Sequence, residues 1–371
     1  MNTRRSFLLA PLAVLAACGR RKGVGFDGYA FVANEEGKAI AAVDLTAFAV
    51  ARHIHLDASP TALIADPVRP AVYALTPATG ALHEVGLGTL AVRRKVPVAR
   101  TAVAMRLAPD GQAIWVLSSQ PKQLARLSLD SFRVDARIAL PAEPADFDVS
   151  WDGGWAGISF GESGAAGLVD LRRGICSFFP LGKKLSLVRF RKDGRQLLVG
   201  NAEDRMLSIL EAPSGRVVVH LPLAVRPDYF CFSEDRGQLF ITGAGMDAVV
   251  VVYPFSTEVA ETVLAGRAPA AMADVNGPDA EFLLVANPQS GEVTIIDVET
   301  RRAIAVVAVG QGPGYITKTP DRQYALVLNR LSGDMAVIRI AAISATRAKS
   351  APLFTMIPVG SRPVCAVVRS V

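Results

Sequence analysis

The sequence predicts an all-β fold, a β-propeller of eight four-stranded blades with seven blades as the alternative, on three observations. A unit of about 42 residues recurs along the chain, each unit carries four short strand signals, and the C-terminal residues supply a strand that the first unit lacks. The recurrence is plainest in two near copies. Residues 282–297 read FLLVANPQSGEVTIID and residues 29–44 read YAFVANEEGKAIAAVD, which places Asn287 and Asn34 253 residues apart. Aligning every unit on the residue expected to end its second strand gives Asn34, Thr76, Ser118, Phe160, Asn201, Gly243, Asn287 and Asn329. The steps are 42, 42, 42, 41, 42, 44 and 42, a regularity that chance spacing of apolar runs does not maintain.

Within a unit the strand signals are apolar runs separated by Gly, Asn, Asp and Pro clusters, as in AAMADV, EFLLVAN, EVTIIDV and AIAVVAV of the seventh. Pro109-Asp110-Gly111, Lys192-Asp193-Gly194 and Pro320-Asp321 mark tight turns between first and second strands. Runs such as DAVVVVYP and RAIAVVAV are apolar throughout, the expectation for sheets buried on both faces, and a mean hydropathy of +0.32 agrees. The first unit opens at its second strand, FVAN, whereas GSRPVCAVVRSV near the C-terminus matches the first strand of other units. Pairing the two closes the ring and removes an exposed edge.

The chain opens with MNTRRSFLLAPLAVLAACG, read as a targeting device set apart from the fold. Arg4 and Arg5 precede an apolar stretch too short to span a bilayer, and Leu15-Ala16-Ala17-Cys18 resembles a lipobox. The resulting division is residues 1–17 as signal peptide, 18–28 as lipid-anchored tether with Cys18 lipidated, and 29–371 as one propeller. Thr3-Arg4-Arg5-Ser6-Phe7-Leu8 resembles a twin-arginine export signal. Gly19 in place of Asp after the cysteine favours the periplasmic face of the outer membrane, so the membrane is a partner through the anchor. Removing Arg4 and Arg5 takes the formal charge from +6 to +4, too small an excess to imply nucleic acid. Cys176, Cys231 and Cys365 sit in strand-like runs and read as buried thiols, and no metal-ligand spacing of Cys and His occurs.

Val-Ala-Asn, a glycine-bearing turn, V-x-V/I-I-D and a run ending V-G resemble the YVTN-repeat β-propeller family, most closely at residues 284–314 and 31–45. The resemblance implies fold, since these residues shape hairpins and core, and says little about chemistry. Members are commonly seven-bladed, and this chain departs by counting eight. Eight blades are shared with the haem d1-binding propellers of periplasmic nitrite reductases, a similarity of blade number only.

The loops joining consecutive blades, with those between second and third strands, line one face of such a ring, the expected place for a ligand. They carry Arg100, Lys183, Lys184, Arg226, Arg267 and Arg362, with Arg330 nearby, which predicts a cationic collar for an anionic small molecule, an acidic glycan or a protein partner. Asp57, Glu143, Asp146 and Asp228 on the same rim are candidates to neutralise it. His53 and His55 stand two apart on a strand but show no third metal ligand, and His83 and His220 are isolated. Asp66, Asp148 and Asp274 fall in first strands, where propeller lactonases gather acids, yet they are scattered. The expected function is therefore a non-catalytic binding or scaffold module without cofactor. A haem d1-like or quinone redox carrier and a lactonase-like enzyme stand as the alternatives.

Overall fold

In the computed structural model, which describes residues 25–344 and 351–371, eight four-stranded antiparallel sheets form an eight-bladed β-propeller. Blade 7 is representative, with strands Met272–Asn276, Glu281–Asn287, Glu292–Asp297 and Arg302–Ala308 running from the channel outward. Second strands end where the repeat alignment placed them in six blades. In blade 3 the strand Ala113–Gln120 runs past Ser118, and in blade 6 Leu239–Thr242 stops one residue before Gly243. The targeting segment, Cys18 included, lies outside the described residues. Among those described, no helix is long and apolar enough to cross a membrane.

Successive residues of a strand point to opposite faces, and here each face meets a different neighbour. In blade 7, Leu283 and Val285 pack into blade 6 while Phe282, Leu284 and Ala286 pack into blade 8. Eight apolar clusters result, one between each pair of adjacent blades. This explains the continuously apolar second and third strands, such as Ala71–Thr76, buried at every position.

The outer strands differ from the sequence expectation. RAIAVVAV reads as a buried run, yet Arg302–Ala308 is largely accessible and Val306 is 58% exposed, because the outermost strand has solvent beyond it. What it keeps is one anchor near its end. Ile54, Ile138, Leu221, Val263, Val307 and Ile357 fill that position in six blades, all buried.

Ring closure is as expected. Pro363–Ser370 is the innermost strand of blade 1 and pairs antiparallel with Gly28–Asn34, matching Ala33 to Cys365, Phe31 to Val367 and Tyr29 to Arg369.

The recurrent Asn and the glycine of V-G form one device. Asn34 Nδ2 donates to Val359 O at 2.7 Å and Asn329 Nδ2 to Val309 O at 2.6 Å, tying a second strand to the incoming loop from the preceding blade. A Cβ on Gly182, Gly266, Gly310 or Gly360 would come within 1.9, 2.6, 2.6 and 2.8 Å of the side chains of Asn201, Asn287, Asn329 and Asn34. In the other four blades that loop residue is Asp57, Ala99, Pro141 or Ala224, and the partner position holds Thr76, Ser118, Phe160 or Gly243. Glycine and asparagine thus occur together or not at all, since only a bare backbone leaves room for the amide.

Candidate functional site

In an antiparallel four-stranded blade, blade-to-blade loops and second-to-third strand loops emerge at the same end. At that end the loops of blades 6, 7, 8 and 1 enclose a cavity of about 880 Å³. Arg267 reaches it from the blade 6–7 loop, Arg330 from the loop after Tyr324–Asn329, and Arg362 from the loop that closes the ring. Glu36, Tyr229, Pro288 and Leu331 complete the polar and apolar parts of its wall.

The local structure holds these groups in place. Arg330 N donates to Gly312 O at 2.9 Å, and Glu35 N donates to Arg362 O at 3.0 Å. Arg362 has φ +55, in the left-handed region where the equivalent residue of the preceding loop is Gly312 with φ +66. A non-glycine residue there costs on the order of 1–3 kcal/mol. Ala268 and Lys184 share the conformation at their equivalent positions, so it belongs to the loop's shape.

Glu35 lies behind the arginines, its Oε2 3.0 Å from Arg362 Nε and 3.7 Å from Arg330 Nη2, while Glu36 Oε1 is 3.5 Å from Arg362 Nη1. Three guanidinium groups therefore face two carboxylates, leaving one positive charge in excess. Among the described residues, Arg267 makes no ion pair and Arg330 Nε, shielded from solvent, has no acceptor. Half-exposed pairs of this kind contribute roughly 0–1 kcal/mol, so an incoming carboxylate or phosphate can compete for these donors.

The expected collar is thus gathered over one sector only. Arg267 and Arg362, with Arg330, line the cavity, whereas Arg100, Lys183, Lys184 and Arg226 are not among its lining residues. Lys183 pairs with Glu203 at 3.8 Å and Lys184 with Glu162 at 3.2 Å. Arg226 Nε donates to both oxygens of Asp228, at 2.7 and 2.9 Å, and this partner raises its pKa further. Apart from Asp228 the neutralising acids are not those expected. Asp57 pairs with Lys95, which holds its carboxyl below the usual range. Asp146 is buried, accepting from Arg106 Nη2 at 3.1 Å and from Val188 N at 3.2 Å, with Arg189 also paired to it. Glu35 and Glu36, which sequence reasoning missed, stand immediately after Asn34 in NEEGK, within a loop class already assigned to this face.

The remaining candidates have structural partners. Asp66 is buried under Tyr73 Oη at 3.1 Å and the amides of Val68 and Arg69, Asp148 Oδ2 accepts from Phe190 N at 2.8 Å, and Asp274 pairs with Lys318 at 2.9 Å. His53 and His55 are exposed on the outer strand Ala49–His55, and no group of three metal-ligating side chains is found among the described residues. His220 Nδ1 lies 2.8 Å from Ser208 Oγ. Cys176, Cys231 and Cys365 are free, and burial pushes their thiols up to about 11, 12 and 12.

No protein-family model matches the chain, and neither does any curated protein. Solved structures do resemble it. The dihydro-heme d1 dehydrogenase NirN, in complex with DHE, is similar at a TM-score of 0.77 and 15% identity, over 96% of this chain and 78% of that one. Apo AztD from Citrobacter koseri is similar at 0.67 and 14%, over 92% and 97%. A protein of unknown function from Desulfotomaculum acetoxidans is similar at 0.59 and 14%, over 78% and 98%. At such identities the likeness is one of fold, and the chain has the propeller architecture in common with these proteins.

Proposed function

We propose that the protein is a non-catalytic binding module that takes a ligand bearing carboxylate or phosphate groups between Arg267, Arg330 and Arg362. The observation that carries this reading is the convergence of three guanidinium groups, from three separate loops, on one cavity with an excess of positive charge. Guanidinium forks recognise such oxyanions bidentately, and Tyr229 and Leu331 offer surface for an apolar body attached to them. The resemblance to YVTN-repeat propellers and to lipoprotein signals supports a place outside the cytoplasm, with Cys18 lipidated and the module tethered to the periplasmic face of the outer membrane.

The test is calorimetric titration of the full chain with citrate, inorganic phosphate and an oligogalacturonate. Binding should weaken by about tenfold or more in Arg267→Glu and in Arg362→Glu, and stay unchanged in Arg100→Glu and Arg226→Glu. Equal affinity in all four variants would remove the site.

A second reading is supported by NirN, solved in complex with DHE, whose fold covers 96% of this chain. The arginines fit the carboxylates of a tetrapyrrole, and Tyr229, in the cavity wall, belongs to the usual haem-ligand set. A visible absorption band in the isolated protein, lost in Arg267→Glu, would select it.

A further inference from the structure

The turns between first and second strands emerge at the end of the ring opposite the arginine cavity. There the turns of blades 3 to 6 enclose a second cavity of about 540 Å³, a volume in the usual range for small-molecule sites. Its outstanding member is Trp151, 83% exposed, in contrast to Trp115 at 5%. Indole is costly to leave in water, and tryptophan is highly buried on average.

The polar groups around Trp151 divide by how fully they are already engaged. Arg191 is committed. It donates to Asp193 Oδ1 and Oδ2 at 3.0 and 2.6 Å and to Gln196 Oε1 at 2.7 Å, and it stacks on Phe255 at 4.6 Å. Capacity remains elsewhere. Arg236 lies over the Phe232 ring at 5.2 Å and makes no ion pair among the described residues. Lys192 Nζ has one bond, to Asp235 O at 3.2 Å, leaving two of its three donors. Asp148 has one oxygen engaged, by Phe190 N, whereas both oxygens of Glu234 are held, Oε1 by Arg322 at 2.6 Å and Oε2 by Asn276 Nδ2.

This distribution narrows the ligand by chemistry. An anion meets the carboxylates of Asp148 and Glu234, a cation meets Arg236 and Lys192, and a wholly apolar molecule strips water from all four without replacing it. A neutral molecule with one apolar face and a rim of groups that both donate and accept satisfies the open positions on Arg236, Lys192 and Asp148. A pyranose ring is such a molecule: its axial C–H face covers an indole, and its hydroxyls accept from cations and donate to carboxylates. We propose that this mouth binds a neutral carbohydrate, a sugar ring stacked on Trp151 with its hydroxyls bonded by Arg236, Lys192 and Asp148. The site is independent of the anion cavity at the other end.

The test is a glycan array of neutral hexose and N-acetylhexosamine oligomers, probed with the full chain, followed by titration of the best oligomer with ATP as the competing class. At least one oligomer should bind and shift tryptophan emission to the blue. Trp151→Ala should weaken it by about tenfold or more, while Trp151→Phe, which keeps an aromatic face, stays within about threefold. Arg236→Ala should weaken binding, and Arg267→Glu should leave it unchanged. Because Trp151 is exposed, its removal does not threaten folding, and thermal unfolding of each variant checks this. The proposal is overturned by a silent array, by undiminished affinity in Trp151→Ala, or by ATP binding at this mouth in place of the glycans.

Discussion

His83 is a residue whose role the sequence left open and whose surroundings now define it. It stands on the third strand of blade 2, Ala81–Gly86, only 2% exposed, with Nε2 3.2 Å from Thr76 Oγ1 and 3.4 Å from Asp57 Oδ1. Burial lowers its pKa from 6.5, and the nearby Asp57 opposes that shift without cancelling it. With the folded pKa below the unfolded one, both states are neutral above pH 6.5 and stability is fully present there. Below that the unfolded chain takes up the proton first, and stability falls until the folded state also protonates. Urea-unfolding midpoints should therefore decline between pH 7.5 and 5.5 more steeply in the wild type than in His83→Gln. Identical slopes would mean that the imidazole titrates alike in both states. This behaviour was not legible in the sequence, because Asp57 and Lys95 come to His83 from other strands and loops.

The joint between blades is where element-scale energetics can be isolated. At Gly266 the amide donates to Thr294 Oγ1 at 3.2 Å, and Asn287 Nδ2 donates to the same oxygen at 2.9 Å. Gly266→Ala places a methyl 2.6 Å from both Cγ and Nδ2 of Asn287, inside a buried contact. Overpacking of this kind costs about 1–3 kcal/mol. Blade 3 carries Ala99 with Ser118 at the equivalent pair, so Gly266→Ala combined with Asn287→Ser imitates a joint that already exists in the molecule. A double-mutant cycle followed by chemical denaturation should show coupling of about 0.5 kcal/mol or more, the double variant being less damaged than the sum of the singles. Additive losses would break the link between the two positions. Asn and Gly were both visible as repeat markers, but sequence alone presented them as separate turn residues. Their contact crosses from one blade to the next. The outer strands show the converse limit: alanine and valine in RAIAVVAV carry no sign of which side faces water, and only the missing fifth strand decides it.

At the scale of the ring, each sheet relies on both neighbours, since every blade divides its apolar residues between two of the eight interblade clusters. Blade 1 additionally depends on Pro363–Ser370 for its innermost strand. Deleting residues 363–371 uncovers the edge of Gly28–Asn34 and removes Cys365 and Ala366 from the packing against blades 2 and 8. Scanning calorimetry should then show a lowered melting temperature with a broadened, less cooperative transition, and the exposed edge should promote association. An unaltered transition would show that closure contributes nothing. The same ring places the two candidate sites on opposite mouths, so their ligands can be titrated separately.

The eight-bladed ring and its closure were fixed by the sequence, because a four-stranded unit repeated every 42 residues leaves each sheet two faces to bury and only a circular stack buries them all. It also named the loops from which the cations project. Which cations meet was decided by tertiary structure. Arg267, Arg330 and Arg362 share a cavity while Arg226 turns onto Asp228, and neither outcome is written in a loop read by itself. Trp151 had no mark in the sequence at all, since exposure of an indole is set by what the neighbouring turns leave uncovered. Local periodicity determines which strands form and which blades adjoin, whereas side-chain convergence across blades depends on distances that exist only once the ring has closed.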